Sequence, residues 1–322
     1  MGAEDDSRLS VTERTFERCL GIVHDGRDGL VLAGFNAIWQ FGNVLPAGQS
    51  FEGHDALYVP QIAWFTGDVF AHDVGVATNR RALFVNTLFS CLSAVDEESS
   101  FRPVWVPPFV SALAPEDRCH LNGLAMDAAG APRFVTAAAA TDRAGAWREQ
   151  REAGGVVIDV ASGEIVCRGL SMPHSPRLRD DTLLVLSAGA GELGRVDLAA
   201  GRFEPIAFLP GFARGLALLG DHALVGLSLP RANRVFADLP LEKRLSAGRL
   251  EAQCAVAVVD LTTGRTLHWL RLGGVVRELY DIAILPHARR PMLVGLQGRG
   301  GLNRLITRGP DLPLAALLGG AA

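Results

Sequence analysis

Little in this chain of 322 residues points toward a disulfide framework, a membrane or a nucleic acid. Its five cysteines, Cys19, Cys91, Cys119, Cys167 and Cys254, are an odd set without a C-x-x-C pair. That pattern fits buried, reduced thiols rather than cross-links or a structural zinc knuckle. Lysine and arginine are nowhere bunched and the net charge is -4, so no basic footprint for nucleic acid or for an anionic membrane surface is expected. No apolar run reaches membrane-spanning length. The opening MGAEDDSRLS is acidic and polar where a signal peptide has a basic start and an apolar stretch. A cytoplasmic location is the expectation. Also missing are a P-loop, a G-x-G-x-x-G behind a strand, H-E-x-x-H and G-x-S-x-G, and with them the usual signatures of nucleotide, zinc-protease and hydrolase sites. Helical periodicity is weak throughout. LPLEKRL and DLPLAALL are the best helix candidates, and the glycine-rich GRGGLNR reads as a loop.

What the chain does contain is repetition. With 48% hydrophobic and 20% charged residues it can bury a large core, and the same short patterns recur along it. VIDVASGEIV, RVDLAAGRFE and VVDLTTGRTL each run from a strand through an aspartate (Asp159, Asp197, Asp260) into a turn that closes on Gly163, Gly201 or Gly264. Each reads as a β-hairpin whose carboxylate caps the turn amides. SAVDEESSF at Asp96 is a degenerate copy. Upstream of each hairpin lies an apolar strand such as LFVNTLF or LLVLSAG, and before it an opening strand such as HDVGVAT or HLNGLAM.

Several short strands recurring at intervals of about forty to sixty residues predict an all-β fold, a β-propeller. Openings near Leu20 and at His72, His120, His174, Arg214 and Tyr280 predict six blades. The N-terminal VTERTFE is the expected closing strand of the last one, since ring closure removes exposed sheet edges. One domain over 11–308 is expected, between a poorly ordered 1–10 and a tail at 309–322. The stretches 49–69, 107–118, 141–154 and 230–251 are long for hairpin loops and are expected to form a rim.

The strings CHLNGLA, GLSMPHSPR and GELGRVDLAAGRFEPIAFLPGFARGLA resemble a bacterial family of propeller-like proteins catalogued as a domain of unknown function. The resemblance spans about residues 19–296, with a shorter N-terminus than in that family. It implies the fold and no reaction, so function is argued from the site.

Innermost strands line a propeller's channel, so His72, His120 and His174, which open three successive blades, are expected to converge. Three imidazoles with an open position can hold a divalent transition metal such as zinc, iron or copper. The layout is similar to that of peptidyl-hydroxyglycine lyases, propellers with three histidines on zinc. Arg214 and Asp281 take the equivalent openings of the next two blades and are the candidate catalytic cation and carboxylate. Asn122, on the face of His120 by strand alternation, is a candidate substrate contact. So are His54, Trp147, Arg148 and Glu149 on the long loops. The expected function is a metal-dependent enzyme acting on a small or peptide-borne polar substrate, with lyase, hydrolase and oxygen-using chemistry all open. The alternative is a non-catalytic propeller that binds a protein or peptide, its histidines tied up in hydrogen bonds. A calcium-dependent lactonase-like site would want more axial carboxylates and amides than Asp281, Asn122 and Asn86 supply.

Overall fold

The computed structural model describes residues 11–231 and 238–296. The expectations for 1–10, for GRGGLNR, for DLPLAALL and for the tail at 309–322 lie outside the described residues. Five sheets follow one another along the chain, and in the last four each strand pairs antiparallel with its sequence neighbours. The first sheet holds β1 (Gly21–His24), β2 (Gly29–Ala33), β3 (Ala37–Asn43) and β4 (Ala56–Phe65), and the second β5 (Ala71–Val76), β6 (Ala82–Asn86), β7 (Cys91–Ala94) and β8 (Arg102–Trp105). The third is built from β9 (Leu121–Met126), β10 (Pro132–Ala137), β11 (Gly155–Asp159) and β12 (Ile165–Leu170). The fourth has β13 (Pro173–Arg179), β14 (Thr182–Ser187), β15 (Glu192–Asp197) and β16 (Arg202–Phe208), and the fifth β17 (Phe212–Leu219), β18 (His222–Ser228), β19 (Ala255–Asp260) and β20 (Thr266–Arg271). The first strand of each sheet packs beside the first strand of the next. That is the arrangement of propeller blades about an axis.

The hairpin reading explains the turns. Asp159 Oδ1 accepts from the amides of Ala161 and Ser162, Asp197 Oδ1 from Ala199 and Ala200, and Asp260 Oδ1 from Thr262 and Thr263. Gly163, Gly201 and Gly264 sit at φ 74°, 66° and 71°, the left-handed conformation that a side chain disfavours. Both faces of the blades are apolar because both are covered. Val31 and Ile38 meet Val74 and Phe84 between the first two blades, and Val85 and Leu92 meet Leu121 and Val135 between the next two. Further round, Phe134 and Val157 meet Leu183 and Val185, and Leu184 and Leu193 meet Leu216 and Val225. All five cysteines are free thiols, four of them buried, and burial pushes the Cys119 thiol up to about 12.

The blade count differs from the expected six. The described residues form five blades, and the opening at Tyr280 builds no sheet. Its segment still occupies the place between the fifth blade and the first. Asp281 Oδ2 accepts from the Ile22 amide of β1 at 2.9 Å, and a Cβ on Gly215 of β17 would lie 2.6 Å from the Asp281 Cα. Gly215 stands at φ 73°, so glycine is required there both by conformation and by the approach of a second backbone. Among the described residues the segment has no partner strand, and the next strand, β21 (Pro291–Leu293), joins the outer edge of the first sheet, parallel to β4 at Ala56–Tyr58. VTERTFE is not a strand either. It crosses beside β21, where Arg14 Nε donates to the Leu293 carbonyl at 2.7 Å and Phe16 packs edge-on to Phe41.

LPLEKRL falls in the single described α-helix, α1 (Pro240–Gly248), which starts with proline where no amide is needed and buries Leu241 and Leu245. No described helix is long and apolar enough to cross a membrane.

Candidate functional site

At one mouth of the ring lies a cavity of about 500 Å³ whose walls include His72, His120 and His174. The rings of His72 and His120 are 5.0 Å apart and those of His72 and His174 are 6.5 Å apart, centroid to centroid. The approach to each histidine is unusual. Phe70 and Met172, two residues before His72 and His174, have φ of 51° and 45°, and Asp117 and His120 have φ of 46° and 52°. Non-glycine residues held in this region are costly and gather where function requires them. Here they bend the chain so that a preceding oxygen meets the ring.

Those oxygens set the tautomer. His174 Nδ1 lies 2.9 Å from the Met172 carbonyl and His72 Nδ1 lies 3.0 Å from the Phe70 carbonyl. Carbonyl oxygens only accept, so Nδ1 carries the proton in both rings. Thr87 Oγ1, whose own proton goes to the Leu121 carbonyl at 2.5 Å, is a second acceptor 2.8 Å from His72 Nδ1. His120 Nδ1 donates to Asp117, at 3.1 and 3.2 Å from its two oxygens. Burial holds the pKa of His72 and of His174 well below the ordinary histidine value, aided at His72 by His120 and Arg214 and at His174 by Arg214 and His72. Both rings are therefore neutral, and Nε2 is a lone pair.

Asp117 is itself held in place. Trp147 Nε1 donates to its Oδ2 at 2.9 Å, and the Arg148 guanidinium stands 3.8 Å away. Trp147 is buried and stacks on His120 with centroids 4.1 Å apart, while Arg148 covers it at 4.4 Å. On the other side Arg214, only 4% exposed, lies between the Phe212 and Tyr280 rings at 4.7 and 4.6 Å. Its Nη1 is 3.6 Å from Glu278, which Arg231 grips with two nitrogens. Arg231 also donates to the Tyr280 hydroxyl.

Of the residues singled out from the sequence, the cavity brings together His72, His120, His174, Trp147, Arg148 and Arg214. The other four lie elsewhere. His54 is half-buried at the outer edge of the first blade, its Nδ1 3.1 Å from the Arg290 carbonyl. Glu149 is exposed and pairs with Arg143. Asn122 is buried within its sheet, where its Oδ1 accepts from Thr136 at 2.8 Å; the left-handed backbone at His120 resets the alternation that placed Asn122 on the histidine's face. Asp281 belongs to a separate buried cluster at the axis. There Arg177 reaches Asp73 at 3.0 Å, Asp281 at 3.3 Å and the carbonyls of Leu124 and Leu216. Arg18, Phe70, Thr87, Asp117, Arg231 and Tyr280 also line the cavity and escaped the sequence reading. Only the D-x-x-H spacing of Asp117 and His120 offered a signal.

The axial cluster makes a pH-dependent contribution to stability. Burial pushes the Asp281 carboxyl up to about 7, with Asp73 adding to the rise and Arg177 opposing it. The ordinary aspartate value is about 3.9, so between about pH 4 and pH 7 the folded chain holds a proton that the unfolded chain has released. The resulting stabilisation is complete below about pH 4 and is lost as pH rises through about 7. Asp281→Asn removes that loss, and its melting temperature relative to the native protein is expected to improve by several degrees between about pH 5 and pH 8. Thermal unfolding at both pH values checks this, and a difference that does not change with pH refutes it.

Ring spacing decides whether a metal fits. At a metal–nitrogen distance of about 2.0–2.1 Å, two imidazole centroids on one tetrahedral ion stand about 5 Å apart, and no more than about 6.4 Å at any angle. The 5.0 Å pair meets this and the 6.5 Å pair falls just outside. Accordingly, no group of three or more His, Cys, Asp or Glu among the described residues is gathered closely enough to hold a metal ion as it stands. The donor chemistry fits, and a tetrahedral site would require the His72 and His174 rings to close from 6.5 Å to about 5 Å.

Comparison with solved structures supports the architecture. The chain is similar to a chain of a nidogen/laminin complex at 12% identity and a TM-score of 0.53, covering 82% of this chain and 84% of that one. It is similar to a calcium-binding protein, regucalcin, from Agrobacterium tumefaciens at 13% identity and a TM-score of 0.53, covering 84% and 79%. At such identities the likeness shows the fold alone. No curated protein matches the chain in sequence. Residues 1–294 match the family described as Domain of unknown function (DUF4915), and the chain belongs to that family.

Proposed function

We propose that the cavity is the active site of a metal-dependent enzyme acting on a small or peptide-borne polar substrate, with His72, His120 and His174 holding a divalent transition metal through Nε2. One observation carries this reading: all three Nδ1 atoms are committed to oxygen acceptors, the arrangement that orients metal-bound imidazoles and raises their basicity. The neutral His72 and His174 turn Nε2 lone pairs into the cavity that His120 also lines, and a metal ion is the cation that would satisfy them. When bound, such an ion supplies Lewis acidity and an acidified water. The chain's own residues do the rest. Asp117, steadied by Trp147, holds the His120 ring in one tautomer. Arg214 presents a fixed guanidinium beside the imidazoles, and Leu20, Leu88 and Met172 make the intervening walls apolar.

Protein purified without a histidine tag, stripped with chelator and reconstituted, is expected to take up close to one equivalent of zinc or cobalt. The cobalt form should show the intense visible absorption of a tetrahedral site. Uptake below about a tenth of an equivalent refutes the reading.

A further inference from the structure

We propose that Arg214 is an anion anchor, and that the ligand of this cavity is a small organic acid whose carboxylate or phosphate lies in the plane of that guanidinium. The inference rests on the reading above for the use of the cavity, and not for the metal. Three features of the structure carry it.

The first is how Arg214 is held. The rings of Phe212 and Tyr280 stand 4.7 and 4.6 Å from its guanidinium carbon and help fix the group, whose polar recognition runs through its N–H edge. An edge-on guanidinium offers a planar fork of N–H donors that matches the two oxygens of a carboxylate or phosphate. Its side chain is almost wholly buried yet forms part of the cavity wall. The second feature is the charge of the walls. Arg18, Arg148, Arg214 and Arg231 line the cavity, and among the described residues Asp117 is the one lining carboxylate; Arg18 is paired with Asp68 behind the wall, and Asp117 already accepts from His120 and Trp147. Glu278, outside the lining, is gripped by two nitrogens of Arg231 and stands 3.6 Å from Arg214, so one carboxylate is shared by two guanidiniums. Burial and Arg231 accordingly pull Arg214 down to about 9, with Glu278 opposing them. A site short of negative charge in a region of low dielectric gains most from an incoming anion. The third feature is the remainder of the wall. Leu20, Phe70, Leu88 and Met172 are apolar, which suits an acid with an apolar body rather than a bare inorganic ion.

The test is calorimetric titration of chelator-stripped protein with benzoate, phenyl phosphate and neutral benzamide, so that the result stands apart from metal binding. At least one of the two anions is expected to bind tenfold or more tighter than benzamide; benzoate winning names a carboxylate ligand, and phenyl phosphate winning a phosphate ester. Arg214→Lys keeps the charge and loses the fork, and is expected to weaken the preferred anion at least fivefold with benzamide unchanged. Glu278→Gln removes the competing carboxylate and is expected to tighten the anion severalfold, the opposite of what a purely structural role would give. Equal affinity for anions and benzamide overturns the proposal. So does anion affinity that neither variant changes.

Discussion

Replacing His174 by alanine is expected to weaken zinc or cobalt binding at least about a hundredfold, and His72→Ala or His120→Ala should do the same. The sign follows from the proposed three-nitrogen site: two imidazoles would leave an ion with too few protein ligands to outcompete water. His174 is the informative position because the proposed site requires the 6.5 Å separation of its ring from His72 to close. Asp117→Asn should cost less, about 10- to 100-fold, because it loosens the His120 ring without removing a ligand. Competition titration against a chromophoric chelator measures all four variants. The thermal readout is independent of it: the native protein at about a hundred times Kd of metal should gain about 2.7 kcal/mol of stability, and the alanine variants none. If His174→Ala binds as tightly as the native protein, His174 is no ligand.

Arg177→Met is expected to be the most destabilising single change at the axis, by about 3–5 kcal/mol. Arg177 is the cation between Asp73 and Asp281, and its nitrogens also cross to backbone carbonyls on β9 and β17. Asp73 in turn accepts from the Leu124 amide, and Asp281 from the Ile22 amide. Five segments therefore meet at one guanidinium, and its loss leaves two buried carboxylates facing each other. The cost comes less from the lost attraction than from the uncompensated charges. Urea unfolding of Arg177→Met, and of the same variant with Asp73→Asn and Asp281→Asn, separates the two: the triple variant should recover a large part of the loss. A single-variant cost below about 1 kcal/mol would show that the axis is not held there.

This cluster also shows where reading by equivalence breaks down. Asp281 sits in the sequence where Arg214 does, at the opening of a blade-like unit, and was expected beside it. In space Arg214 lines the cavity while Asp281 turns to the axial arginine. The sixth unit builds no sheet of its own among the described residues, so nothing enforces its register against the others. Asn122 fails for a local reason, a φ of 52° at His120 that strand alternation cannot anticipate. Trp147 and Arg148 line the site while Glu149, the next residue, pairs with Arg143 outside it, because the short helical turn at Ala146–Glu149 points successive side chains in different directions.

The sequence by itself determined the all-β class, the propeller arrangement, the aspartate-capped hairpins and the three blade-opening histidines. These are local or periodic properties: a turn's carboxylate and glycine act within a few residues, and a repeated strand pattern survives in the order of the chain. The tertiary structure alone decided the number of blades, the docking of the last described strand on the first sheet, and which side chains share the cavity. Each of those depends on contacts between residues far apart in sequence, such as Arg177 with Asp73 and Asp281 or Trp147 with Asp117. Their energy comes from burial and charge compensation that no single stretch of chain contains.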